Sequence, residues 1–264
     1  MCGRFVVTTD PALLAVRLDA IDETGQRIGG LNYGGGPNYG GGPNYGGGPN
    51  YNVAPTTTIA AVVARHDDEP HNDETHSDET QDRATRRVRA MRWGLLPPWV
   101  KADADGRPKA KSLLINARAE TLTSSPAFRA SARAQRCLVP MDGYYEWRPS
   151  PEPGAKTPFY MFRRDGAPIL VAGLWSAWRP DEVSGPMLTA TIVTTDAVGD
   201  LAEIHDRMPL MLDENAWDRW LNPDESAPAD LLANPPDITG IAVRQVSTLV
   251  NRVANNSPEL VEPA

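Results

Sequence analysis

The sequence predicts a single α+β domain with a mostly antiparallel β core. Apolar runs of strand length recur between residues 58 and 247, without the regular intervening helices that a doubly wound parallel sheet requires. Helical patterning is confined to three short stretches. A chain of 264 residues, 41% hydrophobic and 23% charged, is long enough to enclose one sizeable core.

Asp10 followed by Pro11 is an N-cap and first-turn signal, and Leu14, Leu18 and Ile21 then recur at helical spacing. A helix of about three turns is predicted there. Strands are predicted over 58–64, 88–93, 138–147, 159–175, 188–195 and 238–247, with Asp165-Gly166 breaking the fourth as a hairpin signal. Two further helices are predicted, over 126–135 and over Glu214–Leu221, the latter capped by Asp213.

Two low-complexity tracts interrupt this domain, which is predicted to span 1–264. The hexapeptide GGGPNY repeats three times from Gly34 to Tyr51 after a partial copy at Asn32-Tyr33, and a degenerate acidic pentapeptide runs from His66 to Thr85. Loops are predicted at 32–51 and 66–85, since glycine at this density is costly to order and the acidic tract lacks apolar residues to bury. The acidic tract also accounts for the formal net charge of −8. Residues 66–82 hold eight acids and no Lys or Arg; removing them from 34 acids leaves 26, equal to the 26 basic residues, so the remaining chain can carry a basic face.

No run of about 18 apolar residues and no secretory leader is present, which predicts a cytoplasmic protein without a membrane partner. Cys2 and Cys137 form neither a disulfide framework nor a zinc-ligand spacing, and Cys137, within Cys137-Leu138-Val139, reads as a core thiol. His66, His71 and His76 recur every five residues, which aligns ligands on neither helix nor strand. No metal or cofactor is predicted, and His205 is the one histidine outside the repeats.

Cys2 follows Met1 directly, so loss of Met1 would leave a terminal cysteine. A free α-amine (ordinarily about 7.7 to 8.0) beside a thiol (about 8.5) can trap an aldehyde twice, as an imine and then as a thiazolidine ring. The alternative is an incidental small hydrophobe.

Strand alternation places Asn116 and Arg118 of INARAET on one face, either a site for an anion and a nucleophile or a polar strand end. Glu146 in DGYYEW lies in an apolar wall that would raise its pKa into the range of an acid–base catalyst, or it is an edge-strand acid reaching solvent. Asp142 reads as a turn residue. His205, beside Asp206 and Arg207 and closed by Pro209, reads as a proton-transfer group or a structural cap. Five arginines lie between Arg83 and Arg92, ahead of the Trp and Pro residues of RWGLLPPW. They suit either nucleic acid or neutralisation of the adjacent acidic loop.

Taken together, MCGRF, YNVAPT, RWGLLPPW, INARAET, RCLVPMDGYYEW, PFY, AGLW, IVTTDA, IHDRMP and VSTLVN…PEL resemble, in order and over nearly the whole chain, the SOS-response-associated peptidase (SRAP) family. The resemblance implies a barrel-like β core, binding of single-stranded DNA, and covalent attachment to abasic sites, whose open form is an aldehyde. It implies Cys2 as the crosslinking nucleophile, Asn116 as its positioner, Glu146 as acid–base, and His205 as a proton-transfer group. Arg4 and Arg118 resemble phosphate-binding arginines, Thr194 a site-lining hydroxyl, and Pro55 and Trp99 residues beside the splayed strand.

The resemblance further implies a DNA-damage (SOS) role near the nucleoid, self-removal of Met1 in the hydrolase or protease sense, and β-elimination (lyase) chemistry from the imine. It implies no obligate protein partner. Two departures stand out: the GGGPNY tract abuts Asn52 where relatives carry a basic residue ahead of YN, and Pro126 stands where some supply an arginine, with Arg129 nearby. A cysteine peptidase or amidase with an N-terminal nucleophile, and a non-covalent reader of single-stranded or modified DNA, are the competing expectations.

Overall fold

The computed structural model describes residues 2–25, 48–66, 84–150, 152 and 154–264. Most of the GGGPNY tract and of the acidic repeat, including His71 and His76, lies outside the described residues. The last repeat copy ends in structure, because Asn50 and Tyr51 open strand β3.

The chain order is β1 (Arg4–Val7), α1 (Pro11–Arg17), β2 (Ala20–Asp22), β3 (Asn50–Val53), β4 (Thr58–Arg65), β5 (Thr85–Trp93), β6 (Asn116–Arg118), α2 (Arg129–Ala134), β7 (Arg136–Met141), β8 (Gly143–Pro149), β9 (Lys156–Arg163), β10 (Ile169–Trp178), β11 (Met187–Asp196), β12 (Arg207–Pro209), α3 (Glu214–Leu221), α4 (Ala229–Ala233) and β13 (Ile241–Gln245). The α+β class and the mostly antiparallel pairing are as the sequence predicts, with parallel pairs at β2–β5, β5–β11 and β6–β11. One sheet runs β13-β9-β8-β1-β3. The other runs β12-β11-β10-β7-β4-β5-β2 and closes on itself where Thr189 and Ala190 of β11 meet Arg92 and Trp93 of β5. Two residue pairs make that closure, so the result is a ring of sheet rather than a regular barrel.

Strands β4, β7, β10 and β11 are buried on both faces, which explains their continuous apolar runs. Alternation sorts the side chains. Ile59, Ala61 and Val63 of β4 and Cys137, Val139 and Met141 of β7 join Phe5, Tyr144 and Met161 of the five-stranded sheet in a core between the two sheets. Ala60, Val62 and Leu138 face outward, against Leu14 and Leu18 around α1, Phe128 and Ala132 around α2, and Trp217 and Trp220 of α3. On the far side of the five-stranded sheet, Val6, Tyr145 and Tyr160 pack under the C-terminal residues Val246, Val250 and Leu260.

Several expectations are corrected. The first helix stops at Arg17 because Asp19 takes a left-handed conformation (φ 47°), which turns Ile21 into β2 beside β5. The predicted strand over 138–147 is two strands in different sheets. They break at Asp142, whose carboxylate accepts bonds from Thr8 and Thr9 and ties the turn to the end of β1. Asp165-Gly166 does make a turn (Gly166 φ 72°), but no hairpin: β9 pairs with β8 and β13, while β10 pairs with β7 and β11. The helix over 126–135 shrinks to Arg129–Ala134. Asp213 holds the N-cap position of α3 without a side-chain cap bond.

The described arginines of this run pair within the fold, with acids outside the acidic tract. Arg87 and Arg89 both pair with buried Glu23, while Arg86 bonds Asp218 (2.6 Å) and the carbonyl of Leu18 (2.9 Å). Arg92 donates to the Gly94 carbonyl (3.0 Å). Among the described residues, no helix is long and apolar enough to cross a membrane, and no cluster of three metal-ligating side chains occurs.

Candidate active site

Cys2 is fully buried in the core between the sheets. It precedes β1, which pairs with β8 through Arg4–Tyr145, Phe5–Tyr144 and Val6–Gly143. In a regular strand, residues 2, 4 and 6 share a face; instead Cys2 packs in the same core as Phe5, opposite Val6. The backbone therefore departs from strand alternation ahead of Arg4 and directs the cysteine inward.

Asn116 fixes that direction. Its Nδ2 donates to the Cys2 carbonyl at 2.9 Å. β6 is held in place by parallel pairing to β11, with Asn116 opposite Ile192 and Arg118 opposite Thr194. Ile192 belongs to the core that contains Cys2, and Thr194, two residues further on, shares its face. The Oδ1 of Asn116 and the Oγ1 of Thr194 are buried without a hydrogen-bond partner. A buried acceptor left unpaired costs about 1–3 kcal/mol, and a pair of them beside Cys2 suits a bound ligand.

Glu146 and Tyr144, two apart on β8, share the face toward this core. Glu146 is only 4% exposed, and burial pushes its carboxyl above the ordinary carboxylate range, with the nearby His205 imidazole partly opposing the shift. Burial first, then the charge of Glu146, pushes the Cys2 thiol far above its ordinary value. The Tyr144 phenol is raised by burial and then by Cys2 and Glu146. These mutual influences place Cys2, Tyr144, Glu146 and His205 in one electrostatic neighbourhood.

His205 follows a 3-10 turn, Gly199–Glu203, with its backbone N–H donating to the Leu201 carbonyl at 3.2 Å. The Arg207 N–H donates to its Nδ1 at 2.9 Å, although Asp206 Oδ1 also lies 2.8 Å from Nδ1. A backbone N–H can only donate, so in the neutral ring Nδ1 accepts and the proton sits on Nε2; Asp206 becomes the partner once Nδ1 is protonated. Arg207 anchors this loop from behind. Its guanidinium forks onto Glu120 (2.7 and 3.0 Å), reaches Asp196, and donates to the Thr194 carbonyl at 2.7 Å.

The remaining predicted residues lie further out. Arg118 is exposed on β6, Pro55 is half-buried after β3, and Trp99 is 65% exposed in the loop beyond Leu96. Arg4 is turned to other work: Nη1 donates to Asn52 Oδ1 (2.7 Å) and to the Val250 carbonyl (2.9 Å). The sequence reading missed Tyr144, Asn52 and Arg207. Alternation from Glu146 was a signal for Tyr144, whereas Asn52 acts through Arg4, 48 residues away, and Arg207 through Glu120, 87 residues away.

Residues 1–253 match the profile of the family described as SOS response associated peptidase (SRAP). The chain belongs to the SRAP family. Abasic site processing protein YoqW of Bacillus subtilis is 39% identical over 183 residues, 69% of this chain and 79% of that protein. Abasic site processing protein HMCES of Gallus gallus is 31% identical over 202 residues, 69% of this chain and 59% of that protein. A solved protein of Bacteroides thetaiotaomicron superposes with a TM-score of 0.74 over 100% of both chains at 24% identity, a likeness of fold alone.

Proposed function

We propose that this SRAP protein, once Met1 is removed, captures the aldehyde of abasic sites in single-stranded DNA as a thiazolidine on Cys2. The observation that carries the reading is the Asn116 bond to the Cys2 carbonyl, which aims the residue into a core it shares with a carboxyl of raised pKa. The relatives named above as abasic site processing proteins point the same way.

The chemistry runs in balance. The neutral α-amine adds to the open-chain C1′ aldehyde, and protonated Glu146 donates to the departing hydroxyl, so that one water leaves and an imine forms. The thiol then adds to the imine carbon. Burial keeps it protonated, so it needs a base, which ionised Glu146 or neutral His205 supplies while the imine nitrogen takes up a proton. The partnerless Oδ1 of Asn116 and Oγ1 of Thr194 would be available to the amine and the sugar hydroxyls. Exposed Arg118 and Trp99, with Pro55, would contact the strand. The imine also brings β-elimination within reach, with ring closure by sulfur competing.

A turnover peptidase using Cys2 would instead cleave peptide repeatedly without DNA and leave no DNA adduct. The internal pairing of the arginines on β5 weighs against a purely electrostatic reader. The test is an intact-mass spectrum after incubation with single-stranded DNA carrying one abasic site. Loss of Met1 together with a one-to-one adduct, lighter than the sum of the parts by one water and surviving denaturation, is expected. Processed protein without adduct would overturn the reading.

A further inference from the structure

Asn52 is a polar side chain with only 3% of its surface exposed, and it takes no part in the chemistry above. It stands on β3, the antiparallel partner of β1, one residue before Val53, which faces Phe5. Its Oδ1 accepts from Arg4 Nη1 (2.7 Å), while its Nδ2 faces the carbonyls of Val250 (3.2 Å), Arg252 (3.0 Å) and Asn255 (3.0 Å). One amide thus ties the strand that begins two residues after Cys2 to three points of the C-terminal segment.

Arg4 closes the connection. Besides Asn52, it donates to the carbonyls of Val250 (2.9 Å) and Asn251 (3.4 Å), and its guanidinium lies 5.9 Å from the centroid of the Trp147 ring. Trp147 Nε1 in turn donates to Asn251 Oδ1 at 2.7 Å. Trp147 is the neighbour of Glu146 on β8. The C-terminal turn Thr248–Asn251 is therefore clamped between the strand leading from Cys2 and the strand carrying Glu146.

We propose that Asn52, through Arg4 and the C-terminal turn, is a positioning residue that sets the register between Cys2 and Glu146. Gly3 separates Cys2 from Arg4, and the backbone leaves strand alternation there, so β1 alone does not dictate where the cysteine points. A fixed Arg4 leaves one short hinge between the clamp and the nucleophile, which Asn116 then holds from the other side. In this light Arg4, which resembles a phosphate-binding arginine in the sequence, acts mainly through the fold.

The proposal rests on the reading of Cys2 as a covalent trap. Asn52→Asp keeps the size and the acceptor for Arg4 but sets a carboxylate oxygen against three carbonyls. Trp147→Phe keeps an aromatic face for Arg4 but deletes the donor to Asn251, and serves if Asn52→Asp does not fold. With saturating abasic single-stranded DNA, each folded variant is expected to crosslink about tenfold or more slowly than wild type, the penalty of a misplaced reacting group. Affinity for the same strand carrying a tetrahydrofuran analogue, which has no aldehyde, is expected to be unchanged. Wild-type crosslinking rates in folded variants would overturn the proposal.

A second readout separates this failure from failure of the functional reading. A cyanobenzothiazole probe labels a terminal aminothiol without DNA, and release of Cys2 from its buried pose is expected to speed labelling in the variants. If wild type forms no DNA adduct, the functional reading falls and the probe alone decides on the clamp. Equal labelling of wild type and variants would then overturn it.

Discussion

The two faces of β8 are built from the same stretch, GYYEW, yet they have opposite characters. Tyr145 and Trp147 face the C-terminal segment, and their polar atoms are matched: the Tyr145 hydroxyl donates to the Tyr51 carbonyl at 2.9 Å, and the Trp147 indole to Asn251 at 2.7 Å. Tyr144 and Glu146 face Cys2, where a carboxyl is held in an apolar wall and the neighbouring strands contribute two buried oxygens without partners. A polar group buried with its partner specifies structure; one buried without is a cost that persists where function maintains it. The contrast predicts that substitutions on the Cys2 face cost activity directly, whereas those on the other face cost stability and reach activity only where they release the clamp on Arg4.

The largest effect is expected from Cys2→Ala. The covalent product should vanish entirely, while binding to single-stranded DNA persists and weakens as salt rises. A denaturation-resistant adduct from this variant would place the nucleophile elsewhere.

Glu146→Gln comes next, with crosslinking slowed by about 10²-fold or more, the usual contribution of a positioned acid–base group. Two further signs distinguish it. The wild-type rate needs a neutral amine and a protonated carboxyl, so it should be level between the raised pKa of Glu146 and that of the amine, falling on both sides. Without the carboxyl, the rate should simply climb with pH as the amine loses its proton. Stability should move oppositely to activity. A raised folded-state pKa means that folding favours the protonated carboxyl: the benefit is present below the ordinary carboxylate value and is lost as pH rises through the folded value. At neutral pH, well above the ordinary carboxylate value, holding this carboxyl in the apolar wall is a burden, and Glu146→Gln should raise the melting temperature. A drop at pH 7 would contradict the burial argument.

Asn116→Ala should slow the reaction by about tenfold to 10²-fold by loosening Cys2, while leaving the shape of the pH profile intact because Glu146 is untouched. A changed profile would mean that Asn116 takes part in proton transfer.

How much of this was legible in advance follows from the range of each signal. Alternation is local, so the inward face of β6, the burial of Glu146 and most strands could be read from neighbours one or two residues away. The break at Asp142 was written in the sequence as a turn residue. That its two flanking strands join different sheets depends on Thr8 and Thr9, more than 130 residues earlier. The same limit hid the hairpin that is not one at Asp165-Gly166, since turn chemistry says where a chain bends and nothing about which strand it meets next. The arginines of β5 were ambiguous for the same reason: their partners, Glu23 and Asp218, come from distant elements.

The smallest effect is the sharpest test of the comparison. Tyr145→Phe removes only a hydroxyl from the matched face, leaving the Tyr51 carbonyl to find another donor. Loss of one such bond costs about 1 kcal/mol, which corresponds to roughly 2–4 °C in the melting temperature of a chain this size. The ring stays in place against Tyr160, with centroids 5.2 Å apart, so the clamp around the C-terminal turn keeps Trp147 and Arg4. Crosslinking should then proceed at the wild-type rate in a slightly less stable protein. If Tyr145→Phe slowed the covalent step as much as Asn116→Ala, the two faces of β8 would not be separable, and the site would have to include the C-terminal segment itself.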